Sequence, residues 1–260
     1  MQRYGYDELM GDIYSLKCPC FSIGKTVMGR DIPALKIGGG TRPFLIVGAH
    51  HGREYISSRF IMRELTGLSL DPDAVLYAVP MLNPDGVELS LNACPEWKAN
   101  SRGVDLNENY PCLFYEKKSA PAPCKNGFKG YYPASEPEVE ALMSFCEKIR
   151  PQAALTLHAK GEEIFYADEN SPNISQESLK IAQALAEISG YAIKPPSKDP
   201  AIYAAGFENW FRAHFDRPCL LIELAPYDDS PVPYPVSVGE RLTERARGIV
   251  SEFIKSAAKL

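Results

Sequence analysis

The sequence predicts an α/β layered domain built on a largely parallel or mixed sheet. Two observations carry that prediction. Residues 44–49, 75–79, 153–157 and 219–224 form short apolar runs without strict polar alternation, as strands covered on both faces require. Between them lie segments with helical apolar spacing, and strands alternating with helices form layered α/β domains. The 260 residues suit one such unit. No repeat or linker divides the chain, so residues 1–260 are expected to form a single domain, with 1–40 an N-terminal helix and hairpin leading into it.

The elements follow in order. Residues 6–16 read as a short helix. Residues 21–27 and 32–37 flank Met28-Gly29-Arg30-Asp31, a hairpin turn signal, and Gly38-Gly39-Gly40 then breaks the chain. Strand 44–49 precedes a helix over 56–65, and strand 75–79 ends at Pro80. Residues 83–133 are rich in Pro, Gly, Asn and Cys and lack periodicity, and so long an irregular stretch often serves function. Ser135-Glu136-Pro137-Glu138 opens a helix to about residue 149, with an early proline and acids at its positive end. Strand 153–157, a helix over 176–189 ended by Gly190, a helix over 206–215, strand 219–224 and one long closing helix over 237–258 complete the reading.

Charge excludes some classes. With 28 Lys+Arg against 33 Asp+Glu the net charge is −5, which gives no support for nucleic-acid binding. No apolar run reaches membrane-spanning length. Seven scattered cysteines, an odd number, point to free thiols in a reducing compartment rather than a disulfide framework. The opening residues lack an apolar signal core, so a cytoplasmic protein is expected.

The chemistry gathers at strand ends. Ala49-His50-His51-Gly52-Arg53-Glu54 lies where a buried strand gives way to a helix, and ligand sites in open α/β sheets favour the carboxyl ends of strands. His51 and Glu54, three apart, fall on one side of a helical turn and could share a zinc ion. His50 and Glu54, four apart, share a face equally well, and spacing does not choose between the histidines. His158 follows strand 153–157, so three of the four histidines fall at two strand ends, while His214 lies late in a helix. Glu223 sits inside an apolar strand, where a carboxylate needs a partner or a task. Beside a metal it could serve as general base.

The set His51-Gly-Arg-Glu54, Asn83-Pro-Asp-Gly86, Arg102-Gly-Val-Asp-Leu-Asn107, His158 and Ile222-Glu223-Leu224, in that order, resembles the zinc carboxypeptidase family over roughly residues 43–226. The resemblance selects His51 over His50 and implies a three-layer α/β/α sandwich around a mixed sheet of about eight strands. It implies one zinc ion held by His51, Glu54 and His158, with Glu223 as catalytic base. It matches Arg102 to the arginine that polarises the scissile carbonyl, with Lys98 and Lys160 as fallbacks. Tyr203 resembles a mobile tyrosine that closes over substrate, and Arg53 a substrate-contacting arginine.

One departure bears on specificity. Family carboxypeptidases follow the Asn of this motif with Arg, and the pair grips a terminal carboxylate; here Asn107 is followed by Glu108. Residues 97–107, 158–166 and 205–211 look like the bacterial branch that cleaves γ-D-glutamyl-diaminopimelate bonds in peptidoglycan peptides. The expectation is a zinc metallopeptidase acting on free muropeptides, with Glu108 meeting an amine of the diaminopimelate. A metallocarboxypeptidase or N-acyl amino-acid deacylase of altered specificity, and a non-catalytic muropeptide-binding protein, stay open as alternatives.

Overall fold

The computed structural model describes residues 3–227 and 235–260. Helix α1 (Tyr6–Leu16) leads into strands β1 (Cys20–Lys25) and β2 (Asp31–Ile37). Then follow β3 (Arg42–Gly48), α2 (Ile56–Leu65), β4 (Ala74–Val79), α3 (Pro84–Asn92), α4 (Pro137–Ile149), β5 (Ala153–His158) and β6 (Glu163–Phe165). The chain closes with α5 (Ser175–Ser189), β7 (Ala192–Lys194), α6 (Pro200–Tyr203), α7 (Phe207–Phe215), β8 (Cys219–Glu223), α8 (Val236–Leu242) and α9 (Ile249–Ala257).

The strands form one eight-stranded mixed sheet in the order β1-β2-β4-β3-β5-β8-β6-β7. Its centre, β4-β3-β5-β8, is parallel. On the flanks β2 runs antiparallel to β4 and β6 antiparallel to β8. The β1–β2 hairpin turns at Gly29, whose φ of +83° suits glycine.

Period-two alternation divides the sheet's side chains between two cores. Phe44 and Ile46 of β3, Leu155 and Leu157 of β5, and Leu220 and Ile222 of β8 pack with α1, α2, α5 and α9. Leu45 and Val47, Ala154 and Cys219 face the other way, onto Val139, Leu142 and Phe145 of α4 and Phe207, Trp210 and Phe211 of α7. The result is a three-layer α/β/α sandwich. Fully burying each large apolar side chain contributes about 1.5–3 kcal/mol, and among the described residues no helix is long and apolar enough to cross a membrane.

The structure corrects three sequence expectations. The closing helix is two helices, α8 and α9, with α8 ending at Leu242 and Gly248, at a φ of +88°, turning the chain into α9. Its N–H donates to the Glu64 carboxylate (2.9 Å), which ties the break to α2. Helix α3 lies inside the stretch expected to be irregular; Asn83 caps it by accepting from the Gly86 N–H (2.9 Å), and Pro84 takes the first helical position. Strands β6 and β7, three residues each, are too short to leave a periodic signal. The rest of the irregular stretch is held by amide side chains. Asn100 accepts from the Arg102 and Val104 N–H groups, and Asn109 bridges the carbonyls of Lys129 and Tyr132 to the start of α4.

At the start of α4, Glu138 is fully buried, accepting from the Val27 N–H (3.1 Å) and the Asn100 amide (3.3 Å). Burial pushes its carboxyl up from 4.5 to about 7. Between those values the folded protein keeps a proton that the unfolded chain has released, so stability falls as pH rises. By pH 8 the loss reaches about 3 kcal/mol. Urea unfolding of Glu138→Gln at pH 5 and pH 8 should show that part of the pH dependence removed. A variant profile parallel to wild type would contradict it.

Candidate metal centre

The centre is assembled at the carboxyl ends of β3, β5 and β8. Strand β3 ends at Gly48, and Ala49 adopts a φ of +45°, uncommon without glycine, while its N–H donates to the Ser57 hydroxyl (2.9 Å). Beyond this reversal the two histidines have different neighbours. His50 Nε2 lies 3.2 Å from the Tyr110 hydroxyl, whereas His51 faces the pocket. Gly52 then passes so close to α3 that a Cβ would lie 2.2 Å from the Gly86 carbonyl oxygen, a contact only glycine avoids. The Gly52 N–H donates to the Lys98 carbonyl (3.0 Å), which fixes the loop carrying Lys98 against this turn.

Three donor atoms meet there. His51 Nδ1 lies 3.0 Å from Glu54 Oε2, His158 Nδ1 lies 3.1 Å from His51 Nδ1, and His158 Nδ1 lies 3.2 Å from Glu54 Oε2. All three residues are buried, and among the described residues they are the one group found with metal-ligand geometry. Two imidazole nitrogens and a carboxylate oxygen converging on one point form the donor chemistry of a catalytic zinc site, so the residues fit the ion. Asp105 accepts from His51 Nε2 (3.1 Å), which directs the Nδ1 lone pair inward. Lys98 Nζ lies 2.9 Å from the other Asp105 oxygen. Burial opposes ionisation of Asp105, but Lys98 and His51 hold its carboxyl well below the usual range. Burial likewise opposes the Lys98 charge, and Asp105 outweighs it and raises the ammonium's pKa.

Glu223 is the register partner of His158 across the parallel β5–β8 pair, so both side chains leave the sheet at the same strand end. Both line one pocket of about 280 Å³ together with His51. Burial and then the neighbouring Glu54 carboxylate push Glu223 well above the ordinary carboxylate range.

Lys98, Asn107, Glu108 and Tyr203 also line this pocket. Asn107 Oδ1 accepts from the Phe207 N–H (2.9 Å) and so anchors α7, and Glu108 lies 3.4 Å from the Lys117 ammonium. Two of the expected residues lie elsewhere. Arg102 does not line the pocket; its side chain is 55% exposed and its nearest acid is Glu136, at 3.8 Å. Asn100 folds the loop so that Lys98 turns inward and Arg102 outward. Arg53 also lies outside the lining and pairs with Glu96 (3.1 Å) on the rim. Lys160 is not a lining residue either.

The sequence reading passed over Asp105, Lys117, Glu208 and the Asp168–Arg212 pair. Asp105 stands in the quoted Val-Asp-Leu-Asn motif, so a signal existed. Glu208 looked like an ordinary acid in the first turn of a helix, and Asp168 and Arg212 are 44 residues apart, with nothing local to link them.

Comparison with known proteins agrees with this geometry. A family model described as zinc carboxypeptidase matches residues 8–210. The chain is 29% identical to gamma-D-glutamyl-L-diamino acid endopeptidase 1 of Lysinibacillus sphaericus, over 95% of this chain and 71% of that protein. Among solved structures, bovine thrombin-activatable fibrinolysis inhibitor in complex with tick carboxypeptidase inhibitor superposes with a TM-score of 0.82 at 19% identity, over 99% of this chain and 98% of that one. The murein-tripeptide amidase MpaA from Escherichia coli O157 gives 0.63 at 21% identity, over 90% and 91%. At such identities these structures establish the shared fold, while the family model spans most of the sequence. The chain belongs to the zinc carboxypeptidase family.

Proposed function

We propose that the protein hydrolyses the bond between the γ-carboxyl of D-glutamate and the L-centre of meso-diaminopimelate in peptidoglycan-derived peptides. The observation that carries a hydrolytic role is the convergence of His51, Glu54 and His158, with Glu223 in register beside His158. A zinc ion held by His51 Nδ1, the Glu54 carboxylate and His158 Nδ1 would polarise the scissile carbonyl and acidify water. Glu223 accepts a proton from the attacking water and returns it to the leaving amine, so the amide bond breaks with no net change in the enzyme. Lys98, which Asp105 keeps cationic inside the pocket, takes the oxyanion-stabilising role expected of Arg102. Tyr203 forms a wall from which it can cover bound peptide.

Substrate class rests on the missing carboxylate clamp. Where a C-terminal exopeptidase needs an arginine after Asn107, this chain places Glu108, its charge met by Lys117. The pair is neutral together and leaves room for a chain that continues past the cleavage site. The endopeptidase name of the Lysinibacillus relative and the murein-tripeptide amidase name of the structural relative support a cell-wall peptide. The cytoplasm, with free muropeptides as substrates, is part of the same proposal, and the seven unpaired cysteines support it.

A panel of γ-D-glutamyl-diaminopimelate peptides, α-linked peptides and N-acyl amino acids tests the substrate. L-Ala-γ-D-Glu-meso-diaminopimelate is expected to be cleaved at least about tenfold more efficiently than the others; preference for α-linked peptides would turn the assignment to a carboxypeptidase. Glu223→Gln is expected to lower kcat by about 10²–10⁴-fold with zinc retained. An active Glu223→Gln enzyme would remove the base from its role. Asp105→Asn, which replaces the charged acceptor of His51 Nε2 with a neutral one and leaves Lys98 without its counter-charge, is expected to weaken zinc affinity about 10–100-fold in chelator competition. Unchanged affinity would show that Asp105 does not orient the ligand.

A further inference from the structure

Helix α6 carries Tyr203 without being packed. None of its four residues is buried, and Ile202 is 66% exposed, whereas Ala204 and Ala205 just beyond it are fully buried. Apolar burial therefore anchors this turn at one end, and polar contacts must hold the rest. The buried end is fixed by two backbone bonds to the neighbouring loop. The Ala205 N–H donates to the Cys112 carbonyl (2.8 Å), and the Tyr110 N–H donates to the Ala205 carbonyl (3.0 Å). Along the turn itself the Lys118 N–H donates to the Ala201 carbonyl at a longer 3.3 Å. The Ile202 carbonyl, without a partner inside so short a helix, accepts from the Lys117 ammonium.

Lys117 is placed for this contact from two sides. Its ammonium lies 3.4 Å from Glu108 Oε1, its side chain is 12% exposed, and both residues line the pocket. Its backbone is fixed by Lys129, whose ammonium donates to the Phe114 and Lys117 carbonyls (2.7 Å each). A charged donor makes a stronger bond than a neutral one, so the Lys117 contact outweighs the long backbone bond beside it. We infer that Lys117 is a positioning residue: it clasps the turn bearing Tyr203 to the Glu108 side of the pocket and holds the tyrosine where it can cover a bound peptide. Glu108 serves the clasp as the counter-charge that keeps the ammonium in place. The inference rests on the covering role proposed above for Tyr203, and not on which peptide is covered.

Amide exchange and kinetics separate the clasp from the readings around it. The Tyr203 and Ala204 N–H groups donate to the Asp199 and Pro200 carbonyls (3.1 and 3.0 Å). In zinc-loaded wild type these amides are expected to be protected from hydrogen exchange, although a free helix of this length would not be. Unprotected amides overturn the inference, and that arm needs no variant to fold. In Lys117→Met their exchange is expected to quicken about tenfold or more, with zinc retained and β5 unchanged. KM for L-Ala-γ-D-Glu-meso-diaminopimelate is expected to rise about tenfold with a smaller change in kcat, and that rise to vanish in a Tyr203→Ala background. Lys117→Met combined with Glu108→Gln removes both charges; exchange is expected to stay fast, and its return to the wild-type rate overturns the clasp in favour of a stranded carboxylate. An unchanged rate in Lys117→Met overturns it as well, as does a KM effect equally large with and without Tyr203. Fast exchange in Lys117→Met upholds the clasp even where Tyr203→Ala has wild-type kinetics, which refutes the tyrosine as a cover, or where no γ-D-glutamyl peptide is cleaved, which refutes the muropeptide peptidase.

Discussion

The parallel pairing of β3, β5 and β8 is the constraint on which the site depends. Register places Leu157 opposite Gly48 and His158 opposite Glu223, so the carboxyl ends of the strands deliver side chains to one point. His51 and Glu54 follow from the β3 end after a reversal that uses the left-handed Ala49 and the close passage of Gly52 over Gly86. A one-residue slip between β5 and β8 would send Glu223 to the opposite face and dissolve the arrangement. The two cores on either side of the sheet make such a slip unfavourable, because Leu220 and Ile222 would leave one core and Cys219 the other.

Around that point the protein arranges charge in neutral pairs. Lys98 with Asp105, Lys117 with Glu108 and Arg212 with Asp168 each bring a cation and a carboxylate into a low-dielectric pocket together. Buried pairs of this kind add little net stability, and breaking one strands the other charge. Their use here is positional. Asp105 holds His51, Arg212 holds the segment bearing Asp168 against α7, and Lys117 meets the charge of Glu108. An acidic protein thereby keeps a pocket with little charge of its own apart from Glu208 and Glu223.

Much of this was legible in the sequence, for identifiable reasons. The four central strands are doubly covered, so their apolar runs stand out, and the strand-end histidines stand out with them. His51 could be separated from His50 only through the family resemblance, since both spacings suit a helical turn; the fold decides by giving His50 to Tyr110. Helix α3 was missed although Asn83 and Pro84 are a cap and a first-turn proline, because the Gly- and Asn-rich run that follows obscured them. Arg102 was preferred to Lys98 because the direction of each side chain depends on Asn100 and its hydrogen bonds, which no spacing rule encodes. Glu208 depends on a pocket whose walls come from segments spread between His51 and Glu223.

Anomalous diffraction across the zinc absorption edge, on crystals of the zinc-loaded protein, bears on the centre most directly. One peak is expected, bonded at about 2.0–2.2 Å to His51 Nδ1, a Glu54 oxygen and His158 Nδ1. A peak elsewhere, or one in which any of these three donors is replaced by another protein residue, would contradict the assignment of the metal centre and the chemistry built on it.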